Sequence, residues 1–430
     1  MKKIVVKLLA FFARRIIKKY NPMVIGVTGS VGKTSSKAAI DLVLSCKKRV
    51  RSSFSNYNNE FGLPLTIIGL KSPGKNFFAW LNVFWQAKKI LFFRDQNYPE
   101  VLVLEMGVDR VGDMDYLLSI VKPDRAVLTN VSHSHIEYFG GLEQIKKEKV
   151  KLLKGLRKGG VAIINFDNDY IKDVKNDLKN PVLSYGINSQ ADIIAKDVNF
   201  VFPEGDLDEV FYGAIFKLEY KGSIVPVSLP RAISLPAVYS LLSAFSVAVS
   251  MGFHLIDLTD CVKEFKNPKG RMNLLKGIKN TVIIDDTYNS SPESSKFALD
   301  FLKRVKKDKN RKKFVVLGDM LELGHYSEEG HSLVGKKISD MDIDELILIG
   351  EKARDIGRGA IEGGFKKEKV FYFMDVSEAG LFVQNRISKG DIILIKASQG
   401  MRLERVVKEI MAEPNKAEEL LVRQSSEWKK

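Results

Sequence analysis

The chain has 430 residues, 45% of them hydrophobic and 28% charged, a composition that fits a folded globular protein and excludes a disordered or fibrous one. Its 68 Lys and Arg against 52 Asp and Glu leave a formal charge of +16, which points to anionic partners: nucleic acid, small phosphorylated ligands or an acidic membrane surface. Two cysteines, Cys46 and Cys261, exclude a disulfide scaffold and a cysteine-built zinc site and imply a reducing compartment.

No apolar run approaches the roughly 20 residues of a membrane-spanning helix. A cytoplasmic protein, peripheral to the inner membrane face at most, is the expectation. The first twenty residues, MKKIVVKLLAFFARRIIKKY, hold seven Lys and Arg and no acid. Lys7 interrupts the apolar stretch and Arg14, Arg15, Lys18 and Lys19 follow it, which argues against a secretory signal. Ile4, Leu8, Phe11 and Phe12 recur at helical spacing, so residues 1–21 read as a basic amphipathic helix. Its apolar face either packs on the body of the protein or rests on an anionic bilayer. Periodicity does not separate the two.

From Pro22 short apolar runs alternate with helical stretches. Val24–Val27, Val101–Leu104, Ala126–Leu128 and Val161–Ile164 read as buried strands. The segment Lys71–Arg94 sets Phe77, Phe78, Trp80, Phe84, Trp85, Phe92 and Phe93 among basic residues. Such mixing occurs at membrane interfaces and in single-strand nucleic-acid sites, but a helix with a buried aromatic face is the favoured reading. Phe200–Leu229 alternates through Phe211, Gly213, Ile215, Lys217 and Glu219, as a small antiparallel β insertion would. A helix over Leu235–Met251 and the turn Asn267-Pro-Lys-Gly270 close this unit.

Val282–Ile284, Phe314–Leu317, Leu346–Ile349, Val370–Phe373 and Ile392–Ile395 repeat the rhythm. The fold class is therefore α/β, with mostly parallel sheets. Residues 22–268 are expected to form a central domain, and residues 269–430 a Rossmann-like C-terminal domain.

The strongest local signal is V24-I-G-V-T-G-S-V-G-K-T-S35. A buried strand enters a Gly-rich turn and leaves as a helix, so backbone N–H groups and the helix dipole converge on phosphate. Gly29, Ser30, Val31, Gly32, Lys33, Thr34 and Ser35 are the expected ATP-binding loop, with Lys33 on the β/γ-phosphates and Thr34 on Mg²⁺. Val27 occupies the slot where the strict motif has Gly, which makes the loop a variant. Glu105, ending the strand V101-L-V-L-E105, stands where an acid would hold Mg²⁺. T129-N-V-S-H-S-H-I-E137 follows another strand and holds His133 and His135, two of only five histidines.

Together these pieces resemble the Mur ligase family, the ATP-dependent amide-forming ligases of peptidoglycan precursor synthesis. The resemblance spans roughly residues 22–410. It rests on the variant loop, on Asn56-Tyr57-Asn58-Asn59-Glu60, on Glu105-Met106-Gly107 and on Asn130 with His135-Ile136-Glu137. It continues in Asp285-Asp286-Thr287-Tyr288-Asn289-Ser290-Ser291-Pro292, in Leu317 to Gly324 and in Lys396 to Arg402. It implies phosphorylation of a substrate carboxylate by ATP, then displacement of phosphate by an amine. One Mg²⁺ is implied at Thr34 and Glu105, and a second at His135 and a carbamylated Lys149. Lys149 otherwise reads as part of a solvated charge run with Lys146, Lys147, Lys151 and Lys154. Arg271 is implied to face the ATP phosphates, and Asp286 and Asn289 to meet ATP at the domain interface. Lys33, His135, Lys149 and Arg271 are thus the expected catalytic set.

The implied partners are a UDP-muramoyl peptide and a D-Ala-D-Ala-type dipeptide, with no nucleic acid, acting on a monomer. Four departures bear on substrate. A basic stretch of some twenty residues precedes the loop where the family has a UDP-sugar-binding domain. Pro236 to Ser240 replaces a His-Asn pair near the adenine, Lys151 replaces an acid, and Ala397 and Gln399 replace Gly and Arg. A Mur-type ligase for a different acid and amine therefore stays open, as does an ATP-binding membrane-surface scaffold whose chemistry has lapsed.

Overall fold

The structure, a computed structural model, describes all residues except 1, 54–56, 75, 135, 189, 204–206, 208–211, 306–310, 426–427 and 429–430. Asn56, His135 and Phe211 therefore lie outside the described residues.

The first sheet is built from β1 (Met23–Thr28), β2 (Val50–Ser52), β3 (Val101–Glu105), β4 (Arg125–Leu128), β5 (Val161–Asn165), β6 (Val182–Gly186), β7 (Ile193–Val201), β8 (Gly213–Tyr220) and β9 (Ser223–Pro230). Their order is β2-β3-β1-β4-β5-β6-β7-β8-β9, parallel as far as β7. The last three form an antiparallel meander, so the expected β insertion extends the sheet. Ile215 and Lys217 face solvent while Phe216 and Leu218 are buried.

Strand composition follows from burial on both faces. Val24, Leu102 and Leu104 enter one core, and Ile25, Val27, Val101 and Val103 the opposite one. The period of two divides each apolar run between the layers. The first core lies under α1 (Lys2–Tyr20), α3 (Gly62–Ile68) and α4 (Phe77–Phe92); the second lies under α2 (Lys33–Ser45) and the helix Leu235–Ser250.

The second sheet contains β10 (Asn273–Lys276), β11 (Val282–Asp286), β12 (Lys313–Gly318), β13 (Glu345–Ile349), β14 (Val370–Phe373) and β15 (Ile392–Lys396). Its order is β10-β11-β15-β12-β13-β14, with only β10 antiparallel. All nine runs read as buried strands are strands. The short β2, β6 and β10 carry too little apolar pattern to be seen in the sequence.

The structure refines three points. The N-terminal helix does pack on the body, through Leu9, Phe12, Ala13, Ile16 and Ile17, yet Ile4, Leu8 and Phe11 stay exposed. In α4 the aromatic residues are not mainly core: Phe78 is 79% exposed, Trp85 61% and Phe92 82%. Cys46 and Cys261, 215 residues apart, are joined as a disulfide between the end of α2 and the turn Cys261–Glu264. A single pairing is not a disulfide scaffold; that these two cysteines meet depends on proximity, which their number does not reveal. No described helix is long and apolar enough to cross a membrane.

Candidate active site

β1 ends at Thr28 and the chain turns tightly into α2, whose first residue is Lys33. Gly32 precedes the helix at φ 88°, a left-handed conformation that glycine adopts without strain. Gly29 is needed for a different reason: a Cβ there would run into the Thr129 hydroxyl. That hydroxyl donates to Val31 O at 2.6 Å, while Ser30 N donates to Asn130 O at 2.8 Å and Ser132 N to Ser30 Oγ at 3.0 Å. The segment beyond β4 thus braces the loop from behind. No side chain caps α2, so its leading N–H groups point outward for an anion.

Lys33 Nζ donates to the loop carbonyls of Gly29 (2.6 Å) and Ser30 (3.2 Å). Burial lowers its pKa, an effect the Glu105 carboxylate opposes. The β1–β3 register sets Glu105 opposite Val27, at the mouth of the loop. Glu105 Oε1 accepts from Thr34 Oγ1 at 3.3 Å and from Asn58 Nδ2 at 3.4 Å. Its Oε2 faces Lys37 Nζ at 3.5 Å but is buried without a hydrogen bond among the described residues. Lys37, whose ammonium also donates to Ser53 O at 2.8 Å, is a site residue the sequence reading missed. Its spacing, one helical turn beyond Lys33, is the signal that was there to find.

Lys149 does not lie on a solvated face. The helix Leu142–Lys154 turns Lys147 and Lys154 to water and buries Ile145, Lys149, Leu152 and Leu153. Burial first, then the like charge of Lys33, push the Lys149 pKa well below the ordinary lysine value; Asp109 and Glu148 oppose this. Glu148 Oε1 accepts from Gly112 N (3.0 Å) and Met114 N (2.8 Å), holding the loop beyond β3. Lys151, where an acid was expected, bonds Glu148 and Asp115 at 2.6 Å each. Asp109 also lines the cleft and was not anticipated.

The second sheet supplies the facing wall. Arg271 lies 4.0 Å over the Tyr288 ring and donates from Nη2 to Thr34 Oγ1 at 3.1 Å. Its Nε is buried without a partner among the described residues. Asp286 pairs with Lys396 at 2.7 Å and accepts from Met272 N at 3.2 Å. Burial raises its pKa and Lys396 opposes the rise. Asn289 is exposed, and its carbonyl accepts from Lys396 at 2.8 Å. His133 stacks on Tyr326 at 4.5 Å and meets Glu293 at 3.0 Å, so it joins the two halves. Asp319 accepts from Ala353 N at 2.8 Å, bracing a turn.

Lys33, Glu105, Asp109, Arg271, Asp286 and Asn289 thus line one cleft of about 360 Å³ between the sheets. No group of three His, Cys, Asp or Glu among the described residues is placed to hold a metal alone. The Thr34 hydroxyl and the Glu105 carboxylate it meets through Oε1 do suit a hard cation that takes its remaining ligands from phosphate and water. Near Pro236, which lines the cleft, Tyr239 is committed to Asp167 at 2.8 Å.

Residues 82–225 match the Mur ligase middle domain and residues 270–399 the Mur ligase glutamate ligase domain. The chain is 30% identical over 402 residues to the UDP-N-acetylmuramoyl-tripeptide–D-alanyl-D-alanine ligase of Bacillus subtilis, covering 94% of this chain and 79% of the relative. It is 26% identical over 390 residues to the Escherichia coli protein of that name, covering 90% and 76%. Among solved structures it is similar to the MurF ligase of Thermotoga maritima in complex with ADP, with a TM-score of 0.76 and 28% identity over 96% of this chain and 84% of that one. Two Mur ligase domains matched in order along the chain, with a relative 30% identical over 94% of it, mean that this protein belongs to the Mur ligase family.

Proposed function

We propose that the protein is an ATP-dependent acid–amino-acid ligase that joins D-alanyl-D-alanine to a UDP-N-acetylmuramoyl tripeptide through an acyl phosphate. The observation that carries this is the meeting of Arg271 and Thr34 across the cleft, with Lys33 one residue away. Two anions, a carboxylate and a triphosphate, can approach only where cations from both walls neutralise them. In this reading residues 22–268 form the ATP-binding domain and residues 269–430 complete the site.

The substrate carboxylate oxygen attacks the γ-phosphorus and ADP departs. The amine nitrogen then attacks the acyl carbon, and phosphate leaves with the electrons of the C–O bond as the nitrogen loses its proton. The backbone of Gly29 to Ser35 wraps the phosphates, Lys33 and Arg271 balance charge on the transferred group, and Asp286 and Asn289 border the ATP from the second domain. Thr34 and Glu105 would hold one Mg²⁺; His135 and Lys149, as a carbamate, would hold a second. Bound there, Mg²⁺ supplies Lewis-acid stabilisation of phosphoryl charge. Only a neutral amine reacts with CO₂, so the lowering of the Lys149 pKa by burial supports the carbamate role. One copy of the chain contains every residue this scheme uses.

The test is phosphate release and product mass. Release that needs ATP, the UDP-muramoyl tripeptide and D-Ala-D-Ala together, and disappears in Lys33→Ala with the fold intact, is the expected result. Turnover only with another acid and amine would refute the substrate assignment.

A further inference from the structure

We propose that α1 and α4 together form a docking surface for an anionic lipid bilayer. Phe12 stacks on Phe84 with centroids 6.1 Å apart. Seven and eight residues further along α1, Lys19 Nζ donates to the carbonyls of Ile90, Leu91 and Phe93 at 2.8–2.9 Å, and Tyr20 Oη donates to Ile90 O at 3.0 Å. The two helices therefore run side by side in one direction, locked at the end where α4 exposes its last carbonyls.

Each helix keeps a second apolar stripe that the body does not cover. On α1 this is Ile4, Leu8 and Phe11, continued at the same helical spacing by Arg15 and Lys18. On α4 it is Phe78, Leu81, Trp85 and Phe92, with Lys88 and Lys89 exposed between them and Phe93 just beyond. Folding has already chosen which apolar residues enter the core: Val83 and Ala87 are buried and Phe84 half-buried. Trp85, Phe92 and Phe93 keep most of their ring surface exposed.

Charge selects that partner. Neither helix contains Asp or Glu, while seven Lys and Arg precede residue 20 and Lys88, Lys89 and Arg94 accompany α4. Arg15 lies 5.3 Å from the Phe11 ring centre and Lys89 5.7 Å from that of Trp85, so cations border the rings. Exposed aromatic rings bordered by cations, on two helices that carry no acid, match the boundary of a bilayer, where rings enter the acyl edge and cations meet phosphate headgroups. A second copy of the chain would bring two cationic faces together.

The test is flotation of the full chain with vesicles of phosphatidylcholine containing about a third phosphatidylglycerol, against phosphatidylcholine alone, at low and high salt. The expected result is flotation on the anionic vesicles, weakened by salt, with a blue shift of tryptophan fluorescence that Trp85→Phe removes. The double variant F78S/W85S and the charge variant K7E/R15E should each bind at least tenfold more weakly with unchanged circular dichroism. Should either pair perturb folding, Trp85→Ser alone, one exposed side chain, provides the same readout. Absence of flotation overturns the proposal, as does equal binding of variants and parent. Self-association or oligonucleotide binding that the same substitutions abolish, without vesicle binding, would assign the face elsewhere and overturn it too.

Discussion

Arg271 Nη2 donates to Thr34 Oγ1 at 3.1 Å across 237 residues of chain. The threonine lies in the first turn of α2, one residue after Lys33, and the arginine stands just before the second sheet. One hydrogen bond therefore reports whether the two halves are registered for chemistry. Because Arg271 also stacks on Tyr288, its guanidinium is held in place before any ligand arrives.

Replacing Arg271 should consequently impair the transition state more than binding. Arg271→Ala is expected to lower phosphate release by roughly 100-fold, the loss typical of one preorganised donor. Arg271→Lys should recover little, since an ammonium cannot both stack and donate in a fork. Steady-state kinetics with circular dichroism on each variant measures this. Near-parental turnover in Arg271→Ala would remove it from the catalytic set.

Lys149 yields a prediction about dissolved CO₂. Burial and the like charge of Lys33 lower the pKa of its amine well below the ordinary lysine value, which favours the neutral form that reacts with CO₂. Enzyme kept in CO₂-free buffer should lose turnover and regain it on adding bicarbonate, while Lys149→Ala stays inactive under both conditions. A parent enzyme indifferent to bicarbonate would leave Lys149 with a structural role alone.

Asp285 sets a pH dependence of stability. Burial raises its pKa from 3.8 to about 6, and bonds from Thr287 only partly offset this. The folded carboxyl thus keeps a proton that the unfolded chain has released. Its favourable contribution is complete below about pH 4 and is lost as pH rises through about 6. The stability of the parent relative to Asp285→Asn should fall across that window and level off above it. Urea midpoints measured at intervals between pH 4 and 8 would show the trend, and a flat difference would contradict it.

The N-terminal helix offers a contrast between neighbours on one element. Ile16 is fully buried and Ile4 is 64% exposed. Ile16→Ala should cost about 2–5 kcal/mol, as a cavity under a packed helix does. Ile4→Ala should change stability by no more than about 0.5 kcal/mol. Equal effects in denaturant titrations would mean that the helix is not docked as described.

The local patterns of this protein were legible in its residues. The run from Val24 to Ser35 specifies strand, glycine turn and helix by steric and hydrogen-bonding rules that act within a dozen residues. The alternation of apolar runs with helical stretches likewise specifies two α/β sheets, and Glu105 could be placed at a strand end. What stayed hidden is where helical faces point. Lys149 sits in a row of lysines, and periodicity alone does not tell its buried side from the watery sides of Lys147 and Lys154. Phe78, Trp85 and Phe92 read as core because aromatic side chains usually are, yet Val83 and Ala87 took the buried positions.

Sequence by itself determined the glycine turn between β1 and α2, the class of fold and the family, because each depends on short-range spacing or on motif order. Tertiary structure alone decided that Arg271 reaches Thr34, that Lys37 stands behind Glu105, that Cys46 meets Cys261 and that a second aromatic stripe remains uncovered. The physical reason is common to all four. Each depends on how far-separated segments compete for the same space, and burial, which shifts pKa values and selects partners, exists only once that competition is resolved.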